Sequence, residues 1–237
     1  MTGVVTAVKT LAIMQPYLFP YIGYFQLVKL ADEYVIYDDA QFIKGGWINR
    51  NNILINGERR RFSIRLSGAS PNKLINEVEI GDDFTRFIKT LGMAYSKAPY
   101  VSDVMALLQQ IIAYEDKNLA RFSANSLRKI AEHLELDTAF AFSSNLEMAN
   151  AVKGQEKVIA MCKALSADRY VNAIGGRELY SPGDFASEGI ELEFLRSTPS
   201  SYRQYRGDFI PSLSIIDVLM FNHRERVCEM LDEYELI

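Results

Sequence analysis

The chain has 237 residues, of which 49% are apolar and 24% charged, and its formal net charge is −4. This composition is ordinary for a soluble globular protein and excludes a general electrostatic attraction to nucleic acid or anionic membranes. No apolar run reaches the roughly 20 residues of a membrane span, and the N-terminal sequence lacks a secretory signal pattern. Because Cys162 and Cys228 stand in no metal-binding or disulfide-framework spacing, we expect a reduced, cytoplasmic protein without a metal site.

The first elements predict one strand–helix–strand unit. Residues 6–14 form an apolar strand, residues 22–31 have helical apolar spacing, and "EYVIYDD" at 33–39 is a buried strand that ends in two acids. A unit of this length joins two parallel strands by a right-handed crossover.

The middle of the chain changes period twice. Residues 47–66 alternate around Asn56-Gly57, which predicts a β-hairpin standing as a flap at one edge of the sheet, with the basic stretch "GERRRF" interpreted as a solvated strand. Residues 82–136 are helical in period and predict a helical insertion, after which strands and helices alternate and the chain ends in a helical region at 214–232. The predicted fold class is α/β: a three-layer, mostly parallel sheet in a single domain spanning 1–237.

Polar and aromatic side chains follow three of the predicted strands. Ligands of open parallel sheets bind beyond the carboxyl ends of the strands, so we expect these side chains to share one cleft. The acid pair Asp38 and Asp39 follows the second strand and offers a general base. The candidate binding residues are Gln15, Tyr17, Tyr21, Gly23 and Tyr24 in the first loop, Gln41, Lys44, Trp47, Asn49 and Arg50 in the second, and Asn172, Gly175, Gly176 and Glu178 in the third.

Each of these groups also has a structural interpretation. An aromatic turn can simply fasten a loop to the core, an acid pair can cap a strand end, and Lys44 or Arg50 can be a solvated loop charge. The functional interpretation is preferred because all three clusters fall at the same predicted edge of the sheet.

Four stretches carry a resemblance to a known family. "MQPYLFPYIGYFQL", "YDDAQFIKGGWINRN", "NAIGGRELY" and "FIPSLSIIDVLMFN" resemble the WbqC-like family of bacterial proteins over nearly the whole chain. That resemblance implies a role in O-antigen or other surface-polysaccharide biosynthesis, with amino-acid or acyl decoration of sugars. It implies no mechanism that can be assigned to individual residues.

A more remote resemblance concerns the layout of the first turn. "FPYIGYFQLV" is similar to the strand–turn–helix signature of nucleotidylyl transferases and pantothenate synthetases, with Tyr21 and Tyr24 at the two histidine positions and Gly23 retained. That resemblance also implies ligand-binding roles for Gln41 in "DDAQF" and for Ser212 and Ser214 in "PSLSIID". Tyrosine can donate a hydrogen bond but lacks the positive charge of an imidazolium, which argues against adenylyl transfer.

The predicted function is a transferase that attaches an amino-acid or other acyl group to an amino sugar, with a nucleotide-linked sugar as the expected substrate. A non-catalytic module that binds a sugar nucleotide or a carrier is the first alternative, and an ATP-dependent amide ligase is the second. A small-molecule substrate and a homo-oligomer are the expected partners, and the sequence identifies no cofactor.

Overall fold

The computed structural model describes residues 7–147, 153–205 and 207–237. Its central sheet has six strands, which are β1 (Thr10–Met14), β2 (Glu33–Ile36), β7 (Ala139–Phe142), β8 (Arg169–Ala173), β9 (Glu191–Ser197) and β10 (Tyr234–Leu236). The strands lie in the order β10-β9-β8-β1-β2-β7, and every pair is parallel except the antiparallel pair of β9 and β10. The fold is therefore α/β with a mostly parallel sheet.

Eight α-helices connect and cover the strands in the described residues. They are α1 (Ile22–Leu30), α2 (Thr85–Ala94), α3 (Val101–Ile112), α4 (Leu119–His133), α5 (Gly154–Ala164), α6 (Pro182–Ser187), α7 (Ile215–Phe221) and α8 (Arg224–Met230). None of the helices in these ranges has the length and apolar character that crossing a membrane requires.

Alternation along β1 explains why helices pack on both faces of the sheet. Leu11 and Ile13 point to one face and join a buried cluster with Val158 and Cys162 of α5. Ala12 points to the opposite face and joins the larger cluster, which contains Phe25 of α1 and the apolar residues of α2, α3, α4, α7 and α8. Both faces of β1 are buried, as expected for a central parallel strand.

A separate hairpin stands beside the main sheet. It consists of β3 (Arg50–Ile55) and β4 (Glu58–Ser63), paired antiparallel with Ile55 opposite Glu58. The turn between them has positive φ at both central residues, 54° at Asn56 and 77° at Gly57, which are the values and residue types of a type I′ turn. Two short strands, β5 (Leu66–Ser67) and β6 (Glu79–Ile80), pair after the hairpin.

The strand order identifies the edge at which a ligand is expected. Numbered along the chain within the sheet, the order is 3-2-1-4-5-6, and it reverses between β1 and β8. The connection after β1 leads to α1 on one face, and the connection after β8 leads to α6, whose Phe185 lies in the buried cluster on the other face. Open parallel sheets bind ligands where the loops at the carboxyl ends of the strands diverge in this way.

Several element boundaries differ from the sequence-based expectation. The first strand begins at Thr10 rather than residue 6, which lies outside the described residues. The helix expected near 177–180 is a 3-10 segment, Ile174–Leu179, followed by α6. The single helical region expected at 214–232 is two helices, because the Asn222 side chain donates to Val218 O at 2.8 Å and the ring of His223 caps α8.

Candidate functional site

Hydrogen bonds to the backbone carbonyl of Phe19 hold the aromatic turn after β1 in place. Phe19 is fully buried with φ of 48°, a conformation that non-glycine residues seldom adopt. Its carbonyl oxygen accepts hydrogen bonds from Ser214 Oγ at 2.7 Å and from Asn51 Nδ2 at 2.8 Å. Ser214 also caps α7, since its Oγ accepts from the backbone N–H of Ile216. The turn is therefore clamped between the N-terminus of α7 and the hairpin.

Three tyrosines of this turn form one cluster. The rings of Tyr17 and Tyr24 stack with centroids 5.1 Å apart, and the ring of Tyr21 meets Tyr24 edge-on at 6.0 Å. Burial is the main cause that raises the pKa of each tyrosine above its ordinary value of about 10. Their hydroxyl groups therefore stay neutral at physiological pH, and the partly exposed Tyr17 and Tyr21 can offer a proton to a ligand oxygen.

Gly23 is the point of closest approach in this cluster. A Cβ atom built on Gly23 would lie 2.4 Å from Cε2 of the Tyr21 ring, well inside contact distance. The missing side chain thus makes room for the ring of Tyr21, which packs against the first turn of α1.

A pair of glycine-to-alanine variants tests this packing. A Cβ atom added to Gly92 in α2 would have only Met105 Cε, at 4.0 Å, near it, so Gly92→Ala should raise the free energy of unfolding by about 0.5–1 kcal/mol. Gly23→Ala should not gain this stability, because the ring of Tyr21 must leave its place. Urea unfolding of both variants measures the difference, and near-ultraviolet circular dichroism should change only for Gly23→Ala. An equal gain at both positions would disprove the packing role.

An open groove lies between the aromatic turn and the hairpin. It has a volume of about 440 Å³, and we call it the aromatic groove. Aromatic rings, two amides, a guanidinium group and a hydroxyl group line it, from Tyr17, Pro20, Tyr21, Trp47, Asn51, Asn52, Arg59 and Ser212. A second cavity of about 280 Å³ adjoins it at Tyr21 and Ser212, and continues toward the end of β9 past Thr198, Tyr202 and Phe209. Flat rings beside amide and hydroxyl groups suit a polar ligand that also has apolar faces.

Asp38 is buried and its carboxylate is fully engaged. Its side chain accepts hydrogen bonds from Ser143 Oγ at 3.0 Å, from the backbone N–H and Oγ of Ser144 at 3.0 and 2.6 Å, and from Asn76 Nδ2 at 3.1 Å. These bonds tie the end of β2 to the end of β7 and to the segment that follows the hairpin. This geometry suits a residue that positions its neighbours.

Asp39 has a different environment although it is the next residue. Its carboxylate lies 2.5 Å from Ser143 Oγ, whose single proton is shared between Asp38 and Asp39, and it pairs with Lys157 Nζ of α5, also at 2.5 Å. Lys157 lies over the ring of Tyr37 at 5.1 Å. Burial, then the neighbouring Asp39 charge, raises the pKa of Tyr37 to about 12. Asp39 is partly exposed and is the member of the pair with access to a ligand, but it is not among the residues that line the aromatic groove.

The other candidate residues of the second loop have mixed surroundings. Gln41 is exposed and donates to Pro71 O at 2.6 Å, and Asn49 donates to Ile64 O at 2.7 Å at the base of the hairpin. Lys44 is exposed in the bend before Trp47. Arg50 lies beside the indole of Trp47, with Cζ 5.9 Å from the ring centroid.

The third loop leaves the same edge of the sheet as the aromatic turn, because β8 is parallel to β1. Asn172 is buried, its Oδ1 accepts from the backbone N–H of Ala173, and its amide occupies the space that a side chain on Gly176 would take, 2.8 Å from the Cβ position. Gly175 and Glu178 are exposed. None of these four residues lines the aromatic groove, so the structure does not bring the third loop into that groove.

The structure thus brings Tyr17, Tyr21, Trp47 and Ser212 together on one groove and places Gly23 and Tyr24 behind it. Gln15 stays beside Tyr24, which donates to its carbonyl at 3.4 Å, and Ser214 is buried beneath the turn. Residues that the sequence did not single out complete the groove and the acid pair, namely Asn51, Asn52, Arg59, Tyr202, Phe209, Ser143 and Lys157.

One further carboxylate lies close to the second cavity. Asp217 of α7 is completely buried and accepts from Tyr95 Oη at 2.7 Å, Tyr202 Oη at 2.6 Å and Gln204 Nε2 at 2.9 Å. No cation pairs with it in residues 7–147, 153–205 or 207–237. Burial raises the pKa of Asp217 above its ordinary value, while the three donors act in the opposite direction. Through Tyr202, this network fixes one wall of the cavity.

The imidazole and thiol groups lie away from the groove. His223 caps α8 with Nδ1, and His133 ends α4. Burial raises the pKa of the Cys162 thiol to about 12, which leaves it unreactive at physiological pH. The lining of the aromatic groove therefore contains neither an imidazole nor a thiol.

Comparison with known proteins gives a family but no described activity. Residues 15–229 match the WbqC-like protein family. An uncharacterised protein of Mycobacterium tuberculosis, Rv1507c, is 29% identical over 219 residues, covering 90% of this chain and 94% of that protein. No solved structure matches the chain significantly. Since the family match extends from Gln15, before the aromatic turn, into α8, the chain belongs to the WbqC-like protein family.

Proposed function

We propose that this chain is a transferase that attaches an amino-acid or other acyl group to an amino sugar of a surface polysaccharide. The observation that carries the proposal is the aromatic groove beside the turn that follows β1, which Tyr17, Tyr21 and Trp47 line together with Asn51 and Asn52. Rings pack on the apolar faces of a sugar, and amide and hydroxyl groups bind its polar edge. Cleft position and lining together favour a sugar-bearing ligand.

The proposed chemistry uses Asp39 as the general base. The sugar amine attacks the acyl carbon, the carboxylate of Asp39 takes the proton from nitrogen, and the bond between the acyl carbon and its leaving group, such as a thiolate, breaks. Lys157 and Ser143 hold the carboxylate in one orientation. Asp38 positions the loop through its four hydrogen bonds.

We also propose that the sheet is a variant of the nucleotidylyl transferase-like fold. The strand order, the glycine in the first turn of α1 and the location of Tyr21 at the N-cap of that helix support this proposal. In this variant, neutral tyrosine hydroxyls replace the two histidines, so the proposal does not include adenylyl transfer. A cytoplasmic location is proposed with it and suits the two free cysteines, Cys162 and Cys228.

To test this proposal, the purified chain is incubated with amino sugars, in free and nucleotide-linked form, and with acyl-coenzyme A thioesters. Mass spectrometry should detect an N-acylated sugar that depends on the protein. The matched control is heat-denatured protein. Binding of a sugar without any acylation across the panel would disprove the transferase.

A sugar-binding module without catalytic activity is the second candidate. The observation that favours it is the separation of Asp39 from the lining of the aromatic groove, together with the ion pair that already occupies its carboxylate. In that case the acid pair stabilises the loop, and the groove presents its ligand to another enzyme.

A further inference from the structure

The face of the hairpin that carries Asn52 is strongly cationic. In the register of β3 and β4, Asn52 pairs with Arg61 and Leu54 pairs with Arg59. Residues that face each other across strands, or stand two apart on one strand, share a face, so Arg59 and Arg61 lie on the same side as Asn52. Asn52 and Arg59 both line the groove. Arg59 of "GERRRF" therefore lines the groove, and Arg61 shares its face of the hairpin although it is not part of the lining.

Trp47 lies among these guanidinium groups. Arg61 Cζ is 5.3 Å and Arg50 Cζ 5.9 Å from its ring centroid. The indole is 45% exposed, although it is the largest ring in the chain and borders a groove. An exposed indole near two guanidinium groups offers a flat stacking surface beside positive charge.

The positive charge of this face is not neutralised within the described residues. In residues 7–147, 153–205 and 207–237, none of Arg50, Arg59 and Arg61 forms an ion pair with a carboxylate. Arg50 Nε is buried and lacks a hydrogen-bond partner in the same ranges. A buried donor without an acceptor is unfavourable. The residues that line the groove include no acid.

Arg60 differs from Arg59 and Arg61 because it lies on the other face of β4. It lies between the two arginines but points to the opposite side of β4, with Phe62, whose ring packs on Phe87 at 4.8 Å. Arg60 pairs with Glu58 at 2.5 Å and is exposed. The charge on the far face is thus compensated, while the charge toward the groove is not.

We propose that Trp47, Arg50, Arg59 and Arg61 form the binding wall for a nucleoside diphosphate. The base stacks on the indole, the arginines hold the two phosphates, and the attached sugar lies on the tyrosine side of the groove. This proposal rests on the proposed function, because it states that the amino sugar arrives as a nucleoside diphosphate sugar. A polyprenyl diphosphate sugar has the same diphosphate but no base to occupy the indole.

Calorimetric titration of the full chain with UDP, ADP, dTDP and GDP tests the proposal. At least one of them should bind about tenfold or more tightly than pyrophosphate and than geranyl diphosphate, which stands for the lipid source, since stacking of a base contributes about 1–3 kcal/mol. Added salt should weaken this binding. Tighter binding of geranyl diphosphate than of every nucleotide would overturn the assignment of a nucleoside.

Variants locate the site on the hairpin. Arg61→Gln should weaken nucleotide binding about tenfold or more, because it removes a hydrogen bond from a charged donor, and Trp47→Leu should have a similar effect. Arg60→Gln, the matched control on the same strand, should change the affinity less than about twofold. Thermal unfolding of each variant checks that it folds. Equal losses in Arg60→Gln and Arg61→Gln would overturn the site.

The two proposals fail in different ways. Binding of glucosamine without binding of any nucleotide or pyrophosphate would overturn the diphosphate wall and leave the transferase intact. Nucleotide binding with the variant pattern above, but without acyl transfer, would support the wall and overturn the transferase. If none of the probes binds, both proposals are wrong.

Discussion

Asp39→Asn is expected to lower the rate of acyl transfer at least about 100-fold, because a general base contributes about 100- to 10,000-fold to a rate. Asparagine keeps an oxygen that accepts from Ser143 Oγ, but it cannot take a proton from an amine and loses the ion pair with Lys157. The base acts in the transition state, so the dissociation constant for the sugar ligand should change less than about tenfold. Single-turnover rates and calorimetric titration separate the two quantities.

The control for Asp39→Asn uses a second ion pair made by a lysine of α5, which is exposed. Lys163 of α5 pairs with Glu188 at 2.5 Å, and both side chains are exposed. Glu188→Gln should leave rate and affinity unchanged, since exposed pairs contribute little. Asp38→Asn should act mainly on stability, because it disturbs four hydrogen bonds at the strand end. If Asp39→Asn weakens binding as strongly as it slows transfer, Asp39 holds the ligand and is not the base.

The predictable parts of the fold come from strong local signals. The Asn56-Gly57 turn specifies the hairpin because both residues tolerate positive φ, and the apolar periods specify α1, α4 and the central strands. The final strand, β10, has no such signal. Its pairing with β9 depends on the position of α8, which brings Tyr234 opposite Ser197.

The sequence predicts which loops form the candidate site, but it does not predict which groups the individual side chains contact. A glycine at position 23 predicts a close approach to the helix, and the group that approaches is the chain's own Tyr21. Ser214 follows a motif associated with ligands, but in the structure its hydroxyl clamps the aromatic turn. The roles of Arg59 and Arg61 cannot be read from three adjacent arginines, because only the strand register shows which of them face the groove.

Asp217 is not recognisable from the sequence for a similar reason. An aspartate near the start of a helix usually serves the exposed N-terminal turn, where it interacts with the helix dipole. Here the segment that contains Tyr202 and Gln204 folds over α7 and removes the carboxylate from water. Tyr95 connects the same carboxylate to the hairpin, since its hydroxyl accepts from the backbone N–H of Leu54 at 2.9 Å. The network therefore joins three elements around the second cavity.

Asp217→Ala should lower the free energy of unfolding by about 3 kcal/mol, because the buried hydroxyl of Tyr95 and the partly buried donors of Tyr202 and Gln204 lose their acceptor, and each buried unsatisfied group costs about 1–3 kcal/mol. Asp217→Asn keeps the volume and one acceptor oxygen, so its free energy of unfolding should fall by only about 1 kcal/mol. Urea unfolding at neutral pH measures both variants. The control is Asp184→Ala on α6, whose exposed carboxylate accepts from Gln155 Nε2 at 2.6 Å and should contribute less than about 1 kcal/mol. Equal losses at Asp184 and Asp217 would contradict the network.

The pH dependence of the unfolding free energy of Asp217→Asn, compared with that of the parent protein, tests how burial affects the Asp217 carboxylate. Burial raises the pKa of Asp217 in the folded protein above the value of 3.8 for an unperturbed aspartate, so the folded state binds this proton more tightly than the unfolded chain. The stability that this proton contributes is complete below about pH 3.8 and is lost as the pH rises through the folded-state pKa. The unfolding free energy of the parent minus that of Asp217→Asn should therefore be largest in acid and decrease toward neutral pH. A difference that instead grows as the pH rises would mean that the three donors outweigh burial and that the folded-state pKa lies below its ordinary value.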